Sequence, residues 1–109
     1  MMIDVSPLED DAMLVRPNGR LDAAAAPGFL SRMTGLVAEG KTRLVVDLAQ
    51  VSFVDSSGLG ALVSSLKAAR RAEGDLRLVA PGQQIRKLLK LTTLDRVFVI
   101  SDTLEQLSS

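Results

Sequence analysis

Residues 44–66 read LVVDLAQVSFVDSSGLGALVSSL, and this stretch decides the fold. It opens with the branched apolar run Leu44, Val45, Val46 and Leu48, which is typical of a strand buried in a sheet. It closes with apolar residues spaced i, i+3, i+4 and i+7, the stripe of an amphipathic helix: Leu59, Leu62, Val63 and Leu66. The stretch therefore predicts a buried strand followed by a helix.

Small and polar residues lie between these two halves, at Asp55, Ser56, Ser57 and Gly58. Aspartate and serine are favoured at helix starts because their oxygens accept hydrogen bonds from the unpaired first-turn amides. A phosphate placed there would meet free amides and the positive end of the helix dipole. The residues alone predict an exposed helix start whose serines act as caps or become phosphorylated.

The same segment resembles the STAS family, specifically the bacterial anti-sigma-factor antagonists. The run DSSGLG at residues 55–60 carries the resemblance, following a hydrophobic strand and Val51-Ser52-Phe53. Residues 19–22, GRLD, resemble the family's segment before its first helix, and residues 85–98 resemble its C-terminal helix and strand. Because the likeness covers nearly the whole chain, we expect a single STAS domain over residues 1–109.

The resemblance implies a binding module controlled by phosphorylation. In the family, the second serine of the motif is the phosphoacceptor, which corresponds to Ser57 here, with Ser56 the less favoured choice. The unphosphorylated protein would bind a GHKL-type serine kinase that is also an anti-sigma factor, and binding would free the sigma factor. A PP2C-type phosphatase would then remove the phosphate from Ser57.

The resemblance also implies a partner-binding surface around the motif. The partner could approach the start of the helix closely, since residues there carry little or no side chain. Tight packing between helix and strand explains the same small residues equally well. The expected contact residues are Asp22, Asp55, Ser56, Ser57, Gly58, Gly60 and Ala61.

The residue inventory argues against an enzyme. The 109 residues include no histidine and no cysteine, which excludes Ser-His-Asp and Cys-His systems and zinc sites built on those side chains. The Gly-Leu-Gly run lacks the Gly-Lys-Ser/Thr of a phosphate-binding loop. Asp22, Asp47 and Asp55 could gather around a metal ion, but turn and cap roles are commoner for such residues. We therefore predict neither a metal nor a cofactor.

Charge and hydropathy set the expected location and partners. The formal net charge is zero, which argues against nucleic acid as the main partner. No apolar stretch approaches the length needed to span or insert into a membrane, and the N-terminus lacks the basic and apolar regions of a signal peptide. We expect a cytoplasmic protein with a core built mainly from Leu, Val, Ala and Ile.

The N-terminal third predicts an antiparallel portion of the sheet. Residues 2–5 suggest an edge strand, and Glu9-Asp10-Asp11 suggests a polar turn. Residues 12–16 and 20–22 flank Pro17-Asn18-Gly19, and Asn-Gly is a strong hairpin signal because both residues tolerate positive φ. A helix should then begin near Pro27 and end at Gly40.

From residue 44 onward, the predicted order is strand, helix, strand, helix, strand. The second strand covers residues 76–79 and the last covers residues 97–100; Asp102 and Glu105 then suggest a short final helix. Such alternation predicts parallel strands joined by right-handed crossovers. The predicted fold class is α/β, with a mixed, mostly parallel sheet and about four helices packed against it.

Two other functions remain open at this point. Some STAS proteins are non-catalytic subunits of membrane transport systems, including lipid ABC systems, and others are scaffold components of sensory complexes. The presence of both serines followed by Gly-Leu-Gly favours the antagonist. A neighbouring gene for a serine kinase or phosphatase would support it further, whereas a permease gene would favour transport.

Overall fold

The computed structural model describes residues 1–107, which form a six-stranded sheet with helices on both faces. The strands are β1 (Met2–Pro7), β2 (Met13–Leu21), β3 (Arg43–Asp47), β4 (Val51–Val54), β5 (Asp75–Val79) and β6 (Val99–Ser101). The helices are α1 (Ala26–Ala38), α2 (Ser56–Arg71), α3 (Gln83–Leu91) and α4 (Leu104–Leu107), with a 3-10 turn at Leu94–Arg96.

The strand order is β1-β2-β3-β5-β6, and β4 pairs with β2. Strand β1 runs antiparallel to β2. Every other pairing is parallel: β2 with β3, β2 with β4, β3 with β5, and β5 with β6. This arrangement confirms the predicted α/β fold with a mixed, mostly parallel sheet.

The two faces of the sheet are covered very differently. Because successive strand residues point to opposite faces, Val15 and Leu78 join the main core with α1, α2 and α3. Their neighbours Leu14 and Val79 join Val45 in a smaller apolar cluster on the other side, against which Leu8 and Leu104 pack. The stripe predicted for α2 is confirmed, since Leu62 and Leu66 are buried in the main core.

The predicted hairpin at Pro17-Asn18-Gly19 is wrong, because β2 runs straight through these residues. Strand β1 pairs alongside them, with Ile3 opposite Pro17. Gly19 uses its positive φ of 117° at an irregularity where β2 starts to pair with β4. The chain reverses earlier, in the predicted polar turn, where Asp10 and Asp11 have φ of 59° and 62°.

Two further differences concern short elements. The sequence pattern does not separate β4 from the strand before it, although a tight turn divides them, with the Val51 amide donating to the Leu48 carbonyl. The last strand begins at Val99 rather than at residue 97, after the 3-10 turn. At the final helix, the Asp102 amide donates to the Gln106 side chain.

Among residues 1–107, no helix combines the length and apolar character that crossing a membrane requires.

Candidate functional site

The site begins where β2 and β4 end side by side. Leu21 and Val54, the last residues of these parallel strands, are partners in the register. Asp22 and Asp55 follow them directly, so that the two carboxylates come to the same edge of the sheet. A hydrogen bond from the Asp55 amide to the Leu21 carbonyl, 3.4 Å long, joins the two strand ends.

Asp55 is the N-cap of α2 and also holds the neighbouring loop. One carboxylate oxygen, Oδ1, accepts a 2.9 Å hydrogen bond from the Gly58 amide, as an N-cap should. The other oxygen, Oδ2, accepts from the Ala23 amide at 3.2 Å. Both oxygens are thus engaged by backbone amides, one within the helix and one across from it. Asp55, rather than either serine, thus supplies the cap that the polar residues before this helix predicted.

Asp22 organises the loop that leads into α1. Its Oδ1 accepts from the Ala24 and Ala25 amides, each at 3.2 Å, and its Oδ2 lies 3.6 Å from Nε of Arg20. These contacts, above all the hydrogen bond from Ala25, lower the pKa of Asp22 below its ordinary value of 3.8. Asp22 is therefore a fixed negative charge beside the start of α2 at neutral pH.

Ser56 and Ser57 are the first two residues of α2, and both are exposed. Within residues 1–107, neither hydroxyl makes a hydrogen bond, since Asp55 already supplies the side-chain cap. The first amides of a helix have no intrahelical acceptor. The Asp55 carboxylate accepts from the Gly58 amide, and the Asp55 carbonyl accepts from the Leu59 amide. The Ser56 and Ser57 amides have no acceptor among the described residues and could therefore bind an added anion.

The small residues of the motif occupy contrasting positions. Gly58 is buried, and a Cβ built on it would lie 2.0 Å from the carbonyl oxygen of Leu21. Ala61 is also buried, at 5% exposure. Gly60 is exposed, and a Cβ built there would meet nothing within 4 Å. Tight packing of helix on strand therefore accounts for Gly58, whereas Gly60 leaves open surface next to the serines.

Two neighbouring contacts were not anticipated from the sequence. The guanidinium of Arg20 lies 4.4 Å from the centre of the Phe53 ring, which places a cation over an aromatic face beside Asp22. The Gln84 side chain, at the start of α3, makes two hydrogen bonds to the backbone of Val54. No sequence signal pairs residues 30 positions apart in this way.

The third aspartate considered for a metal lies in a different environment. Asp47 forms an ion pair with Arg16, with Nε and Oδ2 3.2 Å apart, and accepts from the Ala49 amide at the turn after β3. Over residues 1–107, the acidic side chains form no group of three that could hold a metal ion. The oxygens of Asp22 and Asp55 are engaged as described.

Comparison with known proteins gives a family match. The sequence pattern of the STAS domain matches residues 5–107. An anti-sigma-B factor antagonist of Staphylococcus epidermidis is 30% identical over 96 residues, which is 88% of this chain and 89% of the relative.

Solved structures show the same architecture. The crystal structure of a Thermotoga maritima protein provisionally assigned to the anti-sigma factor antagonists has a TM-score of 0.91 and 28% identity. The match covers 97% of this chain and 91% of that one. The Bacillus protein SpoIIAA in its phosphorylated form has a TM-score of 0.75 and 21% identity, covering 96% of this chain and 95% of that one. The SpoIIAA likeness is one of fold.

Proposed function

The chain belongs to the STAS domain family, among the anti-sigma factor antagonists, and from this premise we propose that it is a phosphorylation-switched binding module. The unphosphorylated protein binds a GHKL-type serine kinase that doubles as an anti-sigma factor, which releases the sigma factor. The kinase phosphorylates Ser57 at the expense of ATP, and a PP2C-type phosphatase reverses this. The module acts in the cytoplasm and has no catalytic activity of its own.

One observation supports phosphorylation at the start of α2: the exposed hydroxyls of Ser56 and Ser57 have no structural task. A serine at a helix start usually serves as the cap, but here the carboxylate of Asp55 does so. The hydroxyls of both serines are therefore open to a kinase. The family resemblance selects the second serine, Ser57, as the phosphoacceptor, and leaves Ser56 as its matched control.

The same geometry supports retention of the fold after phosphorylation. A phosphate on Ser57 would lie at the positive end of α2, near amides that lack an acceptor. SpoIIAA, which shares the fold, has been solved in its phosphorylated form. We therefore expect phosphorylated protein to keep the structure described above.

Release of the partner follows from charge. Phosphorylation adds about −1.5 to −2 charges at neutral pH. Asp22 and Asp55 already place two carboxylates at this edge of the sheet. A partner lying close over the exposed backbone at Gly60 would have to desolvate the phosphate or be repelled by it. A change of about 1.4 kcal/mol lowers affinity tenfold, so a few kcal/mol suffice for release.

The proposal is tested by co-purification from the native host followed by phosphosite mapping. We expect a serine kinase to be recovered with the protein, and phosphate on Ser57 after incubation with ATP. Recovery of permease or transporter ATPase components, without phosphate on either serine, would favour a transport subunit instead. Phosphate on Ser56 alone would show that the wrong serine has been chosen.

A second test concerns catalysis. We expect the isolated domain to hydrolyse no ATP, because it lacks a phosphate-binding loop. ATP turnover that persists through purification and disappears in Ser57→Ala or Asp55→Asn would contradict the non-catalytic assignment.

A further inference from the structure

We infer that Gln84 is a positioning residue for the switch site, through which α3 holds the start of α2. The inference deepens the proposed function and rests on it for its consequence in binding. The observation that supports it is a pair of hydrogen bonds between the Gln84 side chain and the Val54 backbone. The Val54 amide donates to Oε1 at 3.0 Å, and Nε2 donates to the Val54 carbonyl at 2.8 Å.

The contact completes a strand that has a neighbour on one side only. Strand β4 pairs with β2, and its other edge has no strand beside it within residues 1–107. In a strand, the N–H and C=O of one residue point to the same side, so both groups of Val54 point away from β2. Val54 is fully buried, and unpaired backbone groups there would be costly. The primary amide of Gln84 supplies one donor and one acceptor, as a neighbouring strand would.

The contact lies immediately before the cap of α2. Val54 is bonded directly to Asp55, whose carboxylate holds both the Gly58 amide and the Ala23 amide. A shift at Val54 would therefore move the cap, and with it the first turn that carries Ser57. Gln84 fixes this segment on the side that β2 does not reach.

Gln84 is free for this task because α3 does not use its side chain. Helix α3 begins after Gly82, without a side-chain cap hydrogen bond. Gln83, the preceding residue, is exposed and its side chain makes no hydrogen bond to the described residues. Gln83→Ala is therefore a matched control: it removes the same side chain from the same turn without touching Val54.

The test combines amide exchange with partner binding. Gln84→Ala removes both hydrogen bonds to the Val54 backbone, and a tenfold change corresponds to about 1.4 kcal/mol. We expect the Gly58 amide to exchange roughly tenfold faster, and the unphosphorylated protein to bind the kinase roughly tenfold more weakly. The Leu66 amide, in the middle of α2, should change much less than the Gly58 amide. Gln83→Ala should change neither exchange at Gly58 nor binding.

Gln84→Glu separates positioning from the stability of α3. An acidic residue in the first turn of a helix is favourable, so α3 itself should remain stable. The carboxylate cannot donate to the Val54 carbonyl, so Gly58 exchange and kinase binding should still change in the direction seen for Gln84→Ala. Wild-type behaviour of both Gln84 variants would overturn the inference, and so would faster exchange at Gly58 with unchanged binding. Absence of kinase binding by the wild-type protein would refute the proposed function, while Gly58 exchange would still decide whether Gln84 holds the start of α2.

Discussion

The buried and exposed faces of α2 carry different kinds of residue. The buried face carries Gly58, which allows close approach to Leu21, and the large apolar side chains of Leu62 and Leu66. The exposed face carries Ser57, whose hydroxyl makes no hydrogen bond within residues 1–107, and Gly60, where an added Cβ would meet nothing within 4 Å. The same short motif thus contains residues that build the domain and residues that are free to bind. Substitutions on the two faces should separate stability from binding.

The largest expected effect is at Leu62, which is fully buried. Leu62→Ala should lower the free energy of unfolding by about 2–5 kcal/mol, since it leaves a cavity under the helix. Ser64→Ala, on the exposed face two residues away, should change it by less than about 0.5 kcal/mol. Denaturant unfolding of both variants measures the difference. Equal stabilities would show that the two faces have been assigned incorrectly.

The two glycines sharpen the comparison. Gly58→Ala would place a methyl group against the backbone of Leu21, where no side-chain rotation can make room. We expect the free energy of unfolding to fall by about 3 kcal/mol, at the upper end of the range for overpacked cores. Gly60→Ala should instead stabilise the helix by about 0.5–1 kcal/mol, because alanine is the better helix former.

Partner binding should follow a different order for these glycine variants. Gly60→Ala adds a methyl group to the exposed surface beside the serines and should weaken kinase binding despite its greater stability. The measurements are thermal unfolding and titration with the kinase. Tighter or unchanged binding by Gly60→Ala would remove Gly60 from the proposed partner surface.

The smallest effect concerns Asp22, beside the exposed start of α2. Its pKa is lowered in the folded protein, mainly by the Ala25 amide. Its contribution to stability is therefore present above pH 3.8, its ordinary pKa, and is lost as the pH falls through the lower folded value. The difference in unfolding free energy between wild type and Asp22→Asn should therefore shrink as the pH falls below 3.8 and through the folded-state pKa.

An exposed carboxylate on β1 provides the control for the Asp22 experiment. Asp4 makes no side-chain hydrogen bond or ion pair with the rest of residues 1–107. Asp4→Asn, whose unfolding is measured in parallel over the same pH range, is the matched variant that removes a carboxylate without removing a hydrogen bond. A difference between wild type and Asp22→Asn that stays constant with pH would contradict the role given to the Ala25 hydrogen bond.

Sequence patterns predicted the elements whose signals are local. The stripe through Leu62 and Leu66 predicted both the helix and its buried face. The Asn18-Gly19 pair led to the wrong prediction of a hairpin turn, because a glycine with positive φ also occurs at irregularities within a strand. Strand β4 has four residues and follows β3 after a tight turn, which is too little sequence for a separate signal.

Site features that depend on packing between distant segments could not be predicted from the sequence. The sequence left two explanations open for Gly58, and the position of the Leu21 carbonyl favours packing. It predicted that Asp22 and Asp55 would be near the serines, but could not indicate that Asp55 alone caps α2. Nor could it indicate the contact between Gln84 and Val54, which exists only because α3 starts next to the end of β4.

The most direct test of the central claim is binding of the cognate kinase, with and without ATP, to Ser57→Ala and Ser56→Ala. We expect Ser57→Ala to bind the kinase and to remain bound after ATP is added, because the proposed phosphoacceptor is missing. Ser56→Ala should bind and then be released, as the wild type is. Release of Ser57→Ala by ATP, with retention of Ser56→Ala, would contradict the assignment of Ser57, and release of both variants would contradict a serine switch at the start of α2.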